Sequence, residues 1–275
     1  MRLIFLIGLS SSYFASKGFS VYDSVEKAYS LGFKTIELGA THSFEENLNE
    51  TVQKIHDDFS DVFFSLHGLF PPMKEKHWFN PSLGLTELNK KIIDSFFVFA
   101  DLSGAKLIGF HPGFLYEVSY VESNGIGETK QLKPLNEKTS WKNLLDVLGY
   151  FEEKNKNNLI LAIENITSTE EKALVYGKKF QKVFDSFPSI NLLFDLGHSL
   201  SDKTYPDLMD LSEKIKEIHL HRPFNGKIHQ PVTEKELELL KPIKQIKKIP
   251  VIIEHFSEIS EKQILEEKEL FESFF

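Results

Sequence analysis

The chain of 275 residues contains no cysteine. That absence excludes disulfides, thiolate-held zinc and a cysteine nucleophile, so any metal must be held by His, Asp and Glu. Arginine is almost missing: of 32 basic residues only Arg2 and Arg222 are arginine, and the rest are lysine. The lysine bias, with abundant Ile and Phe, fits AT-rich coding. Lys/Glu richness without Cys also matches a weak compositional trend of thermophilic proteins. An excess of positive charge is lacking as well, since the net charge is −8 and the pI about 5.7. A dedicated nucleic-acid binder would carry a basic footprint, which only a local patch could supply here. No apolar run approaches the roughly 18 residues of a membrane span. The Leu3–Leu9 run, short and preceded by one Arg, makes a poor signal peptide and reads as a first strand. A soluble cytoplasmic protein with no membrane partner is expected.

What is present is a core-forming composition, 41% apolar and 26% charged, with 25 phenylalanines that must be largely interior. The length suits one large α/β domain over residues 1–275 better than two small ones. Short runs rich in Ile, Leu, Val and Phe recur at Leu3–Leu9, Thr35–Leu38, Val62–Leu66, Lys106–Phe110, Leu159–Ile163, Asn191–Phe194, Glu217–Leu220 and Pro250–Ile253. Amphipathic stretches of helical period separate most of them. Eight buried runs with helix-length connections predict a (β/α)8 TIM barrel of parallel strands. Ser20 is placed to open the first helix and Gly32 to close it. Gly104 closes the helix before strand four, and Thr139-Ser140 can cap the next helix near Trp141. Two connections exceed what a barrel needs: Gly68–Thr86, with Pro71-Pro72 and Phe70, His77, Trp78 and Phe79, and Pro112–Lys138. Long loops on the strand-end face are expected to be lids or substrate-contact loops. Asn124-Gly125-Ile126-Gly127 lacks the strand-turn-helix setting of a nucleotide fingerprint and reads as a turn.

The residues ending these runs carry the chemistry. Strand two ends at Glu37, three at His67, four at His111 and five at Glu164. Strand six gives Asp195 with His198, seven gives His219 and His221, and eight gives Glu254. In a barrel all of them converge on the C-terminal mouth, where catalytic residues of this fold lie. Any one of these histidines alone is better explained by a hydrogen-bonded strand end than by a ligand role. Matching ends on successive strands are not, and imidazole with carboxylate is donor chemistry for zinc, manganese or iron. Glu37 either contacts substrate or forms an ion pair across the mouth. His42, His56 and His77 read as surface residues, and His255, on the far side of its strand from Glu254, as packing.

The stretches Leu66-His67-Gly68, Phe110-His111-Pro112-Gly113, Ile163-Glu164-Asn165 and Phe194-Asp195-Leu196-Gly197-His198 resemble the xylose isomerase-like TIM-barrel superfamily. The likeness continues through Ile218-His219-Leu220, Ile228-His229-Gln230-Pro231 and Ile253-Glu254, essentially the whole chain. That superfamily includes AP endonuclease family 2, of the endonuclease IV type, and many sugar isomerases and epimerases. The resemblance implies, for the isomerase branch, one metal on Glu164, Asp195, His219 and Glu254. The endonuclease-type phosphoesterases add His67, His111, His198, an Asp and a final His, here His229, to build a three-zinc cluster. Lys227 stands where the Asp is expected. Ser10-Ser11-Ser12-Tyr13 and Glu37-Leu38-Gly39 replace the branch's DNA-contacting loops, and the Ile-Glu-Leu-Gly stretch looks like the isomerase branch.

Two functions therefore compete. A metal-dependent phosphoester hydrolase would use His67, His111 and Glu164 for one ion and Glu164, Asp195, His219 and Glu254 for another, with Arg222 either holding a phosphate or carboxylate oxygen or, as a surface residue, pairing with a loop carboxylate. Its substrate would be a small phosphodiester, duplex DNA being disfavoured by charge. An isomerase or epimerase would use Glu164 and Glu254 as ligands that also move a proton beside a carbonyl. A non-catalytic metal-binding barrel is a third reading. Ligand count favours the hydrolase, with a divalent cofactor, zinc first and manganese or iron next, and two ions per chain. A lysine in place of the Asp predicts a weak or vacant third ion position, with Lys227 turned to solvent or holding a substrate phosphate. In a slipped alignment His221 or Asn225 completes the site and Lys227 is an ordinary surface residue.

Overall fold

The computed structural model describes residues 6–68, 70–74, 77–123, 126–168 and 172–275, with only the backbone for 118–131. Twelve strands are described: β1 (Ile7–Ser10), β2 (Thr35–Leu38), β3 (Phe63–His67), β4 (Leu107–Phe110), β5 (Tyr116–Ser123), β6 (Ile126–Pro134), β7 (Ile160–Glu164), β8 (Ile190–Asp195), β9 (Ile215–Leu220), β10 (Arg222–Phe224), β11 (Lys227–Gln230) and β12 (Val251–Ile253). Eight close into a barrel in the order β1-β2-β3-β4-β7-β8-β9-β12, with β12 returning to β1. All eight pairings are parallel. The expected (β/α)8 barrel is the observed fold. Of its first run, residues 3–5 lie outside the described residues.

Parallel strands covered by helices must be apolar on their outward face, and alternation then dictates what points inward. The outward residues join the helices in one core. In it Phe151 lies parallel to Phe110, 4.3 Å between ring centres, and Phe79 and Phe96 pack against Phe151 at their edges or faces. This is where much of the phenylalanine excess goes. The inward positions hold a small apolar plug of Leu107, Ala162 and Leu193. Above it, towards the strand ends, the inward residues turn polar: Ser10, Glu37, Ser65, His67, Glu164, Asp195, Glu217 and His219 are all buried.

Local chemistry sets the helix boundaries. Ser20 caps the helix Val21–Ser30 by accepting from the Asp23 N–H, and Gly104, left-handed with φ 68°, ends Glu87–Ser103. The helix after β6 starts earlier than Thr139-Ser140 suggested. Asn136 caps Glu137–Lys154 by accepting from the Thr139 N–H, since an Asn side chain supplies a good cap one turn upstream. The long connection after β4 is an antiparallel hairpin, β5 with β6. Its tip, Asn124-Gly125, lies outside the described residues. A second hairpin, β10 with β11, follows β9. Its two-residue turn is Asn225-Gly226, with φ 52° and 74°, the positive values that a tight hairpin turn requires. Among the described residues, no helix is long and apolar enough to cross a membrane.

Candidate metal centre

Several barrel strands deliver the residues at their ends to one place. Glu164, Asp195, His219 and Glu254 bring one donor atom each within 4.8 Å of one another. His219 Nδ1 lies 3.3 Å from Glu254 Oε2, 3.4 Å from Glu164 Oε1 and 3.8 Å from Asp195 Oδ2. On its other side His219 Nε2 pairs with Glu37 Oε2 at 2.8 Å. With Glu37 accepting the Nε2 proton, Nδ1 is the atom turned to the three carboxylates. Both His219 Nδ1 and Glu254 Oε2 are buried and lack a hydrogen-bond partner. Orphaned polar atoms converging from two chemical types are what a divalent ion would satisfy, and one imidazole with carboxylates suits zinc, manganese or iron.

Glu164 faces a second set with its other oxygen. Its Oε2 lies 2.7 Å from His67 Nε2 and 3.0 Å from His111 Nε2. One carboxylate therefore straddles two groups of donors. His198, His221 and His229 form a third compact group on the far side of Asp195. His198 Nδ1 lies 3.1 Å from the Asn165 carbonyl oxygen and His229 Nδ1 3.0 Å from that of Glu254, contacts that place the proton on Nδ1 in both rings. The mouth opens beside His111 and Glu254, whose side chains are 20% exposed while Glu164, Asp195 and His219 are sealed. Trp78, from the loop after β3, packs 6.3 Å from His111.

The electrostatics reflect crowded carboxylates. Burial opposes charge on Glu164, but His67 and His111 outweigh it and hold the carboxyl well below its usual range. Asp195 is lowered against burial by His198 and His221, and Glu254 by His219 and His229. Burial likewise disfavours the imidazolium of His67, yet Glu164 and Glu37 raise it to about 9. His219 is raised well above 6.5 against burial, chiefly by Glu37 and Glu254. A field that draws protons onto buried imidazoles is one that a divalent cation would neutralise, displacing those protons.

All eight expected ligands, His67, His111, Glu164, Asp195, His198, His219, His229 and Glu254, stand around this mouth. The open alternatives for Glu37 and Arg222 are decided, and the expectation for His42 changes. Of the two readings of Glu37, the ion pair is the one observed: it is fully buried behind His219 and pairs with it rather than facing the opening. Arg222 is committed elsewhere, its Nε donating to the Pro231 carbonyl at 2.7 Å, its guanidinium 4.7 Å over the Phe224 ring and 3.8 Å from Glu236. His42 is no surface residue but is 6% exposed, with Nε2 at 2.9 Å from Ser11 Oγ. His56 and His77 are half-buried, and His255 is a packing residue, 2.5 Å from Glu267. Lys227 is exposed and Asn225 is a turn residue, so neither enters the site. Glu217 was missed. It is fully buried beneath His219, and burial with neighbouring Glu37 pushes its carboxyl up to about 8. The signal was its spacing two before His219, which puts both on the inner face of β9.

The fold and site together define a (β/α)8 barrel with a histidine- and carboxylate-rich mouth. The chain belongs to the xylose isomerase-like TIM barrel family, whose pattern matches residues 25–274. Among solved structures, AP endonuclease family 2 from Brucella melitensis superposes with TM-score 0.67 at 11% identity, over 93% of this chain and 96% of that one. D-psicose 3-epimerase in the presence of D-fructose gives 0.65 at 15%, over 98% and 97%. Endonuclease IV from Thermus thermophilus gives 0.58 at 15%, over 98% of both. Such identities speak for the fold alone. No curated protein sequence matches significantly.

Proposed function

We propose that the protein is a metal-dependent phosphodiester hydrolase acting on a small phosphorylated substrate. The observation that carries this reading is the position of Glu164, with Oε2 on His67 and His111 and Oε1 towards His219. His67, His111 and Glu164 would hold one divalent ion, and Glu164, Asp195, His219 and Glu254 a second. Ions bound there would supply Lewis acidity towards a phosphoryl oxygen and offset its charge. The residues contribute the rest. Glu37 fixes the ring of His219, the helix beginning at Leu196 fixes Asp195, and His111 and Glu254 form the exposed rim at which a substrate arrives. Net charge −8 and two arginines disfavour a duplex backbone as substrate.

A second reading rests on Glu164 and Glu254, whose carboxylates lie 3.4 and 3.3 Å from His219 Nδ1. Two carboxylates brought together in this way could shuttle a proton at a carbon beside a carbonyl, as an epimerase requires. His67 and His111 have no evident task in it as ion ligands. Hydrolysis of an aryl phosphodiester by the ion-loaded protein tests the choice. The hydrolase reading expects turnover that His111→Ala abolishes without unfolding. An inert protein that interconverts ketoses, unaffected by His111→Ala, supports the epimerase instead.

A further inference from the structure

His221 is in neither ion-binding set, yet it is completely buried at the back of the site. Its Nε2 lies 2.9 Å from Asp195 Oδ2, and its Nδ1 accepts the backbone N–H of His229 at 3.2 Å. A neutral imidazole that accepts at Nδ1 carries its proton on Nε2. That proton points at Asp195, so the ring is arranged as a donor rather than as an ion ligand.

The ring's place is built by its neighbours. A Cβ on Gly197 would lie 2.0 Å from His221 Cε1 and Nδ1, so no larger residue fits while the ring is there. Gly197 lies in the helix Leu196–Ser201 and has no left-handed φ, which leaves the ring as the reason for glycine. On the other face the ring of His229 stacks at 4.1 Å and 29°. His229 itself has φ 56°, uncommon for a side-chain-bearing residue, and this backbone turn delivers its N–H to His221.

We infer that His221 is a positioning residue for Asp195. Asp195 Oδ1 accepts the backbone N–H of His198 at 2.6 Å, and Oδ2 accepts from His221. Two donors on two oxygens fix the carboxylate plane and leave its other lone pairs for the ion shared with Glu164, His219 and Glu254. The assignment rests on the two-ion reading above. It also gives the corner of His198, His221 and His229 a role other than a three-nitrogen ion site, because the His221 Nε2 position is taken by a proton.

The test uses the full chain, stripped and reloaded with Zn²⁺ or Co²⁺, with each ion's affinity measured by competition against a chromophoric chelator. His221→Phe keeps a ring but no donor; His221→Gln keeps an N–H at similar reach. Loss of such an outer partner weakens an ion by about tenfold to a hundredfold. That loss is expected for one ion only in His221→Phe, with the Co²⁺ absorption of the other unchanged and affinity restored in His221→Gln. Should His221→Phe not fold, His221→Asn, too short to reach Oδ2, takes its place. Gly197→Ala should reproduce the selective loss by displacing the ring and add nothing in a His221→Ala background. A wild type binding two ions, with His221→Phe as tight as wild type or His221→Gln no better than His221→Phe, overturns the role of His221 alone. Three tight ions in the wild type, one lost with His221, would make it a ligand and also overturn it. A wild type that binds none overturns the two-ion reading itself.

Discussion

Acidification should destabilise the protein through His42 by an amount the structure allows to be worked out. The ring is buried between Ser11 and Phe70, 5.9 Å from the latter's ring centre. Ser11 Oγ accepts the Gly39 N–H at 3.1 Å, so its own proton is available to His42 Nε2. His42 Nδ1 has no partner. A second proton on this imidazole would put a charge in a buried site, and burial lowers the pKa from 6.5 to about 4. Because the unfolded chain binds that proton more readily, the contribution is intact above pH 6.5 and is lost as pH falls through 6.5 towards 4. By linkage the loss is about 2 kcal/mol at pH 5 and levels off at about 3 kcal/mol below pH 4. Urea unfolding at pH 7.5 and pH 5, with a chelator present to remove ion binding, measures it. Wild type should lose about 2 kcal/mol more than His42→Gln between the two pH values. An equal loss in both would refute the reasoning.

Glu37→Gln removes the negative partner of His219 Nε2 without changing volume, and should weaken an ion on Glu164, Asp195, His219 and Glu254 by about tenfold to a hundredfold in chelator competition. Phe151→Ala deletes a fully buried ring stacked on Phe110, and should cost about 3–5 kcal/mol in urea unfolding, with a fall in Tm of roughly 2–4 °C per kcal/mol. Arg222→Ala should leave the KM for a small phosphodiester unchanged, because the guanidinium is held by Pro231 and Phe224; a large rise in KM would return Arg222 to the substrate site.

The barrel was legible because its signals are local. Thr35–Leu38 reads as a strand and is one, and Ser20 and Gly104 mark helix ends through their own backbone requirements. The convergence of His67, His111, Glu164, Asp195, His219 and Glu254 followed from the fold, since parallel strands in a barrel end on one face. What stayed hidden depends on distant partners. His42 looks like a loop histidine until Ser11 and Phe70 close over it. Arg222 follows His221 directly and seemed bound for the mouth, but the tight Asn225-Gly226 turn makes a hairpin that holds it against Pro231 and Phe224. That Asn-Gly turn was a readable hairpin signal. Nothing local told whether Glu37 would face substrate or the back of His219.

Metal content per chain bears most directly on the central claim that Glu164 is shared between two ions. Protein purified without chelator, loaded with Zn²⁺, dialysed and analysed by mass spectrometry for bound metal should retain two ions per chain, with His111→Ala retaining one. A wild type saturating at one ion, held equally well by His111→Ala, would contradict it and leave the four-residue site of an epimerase.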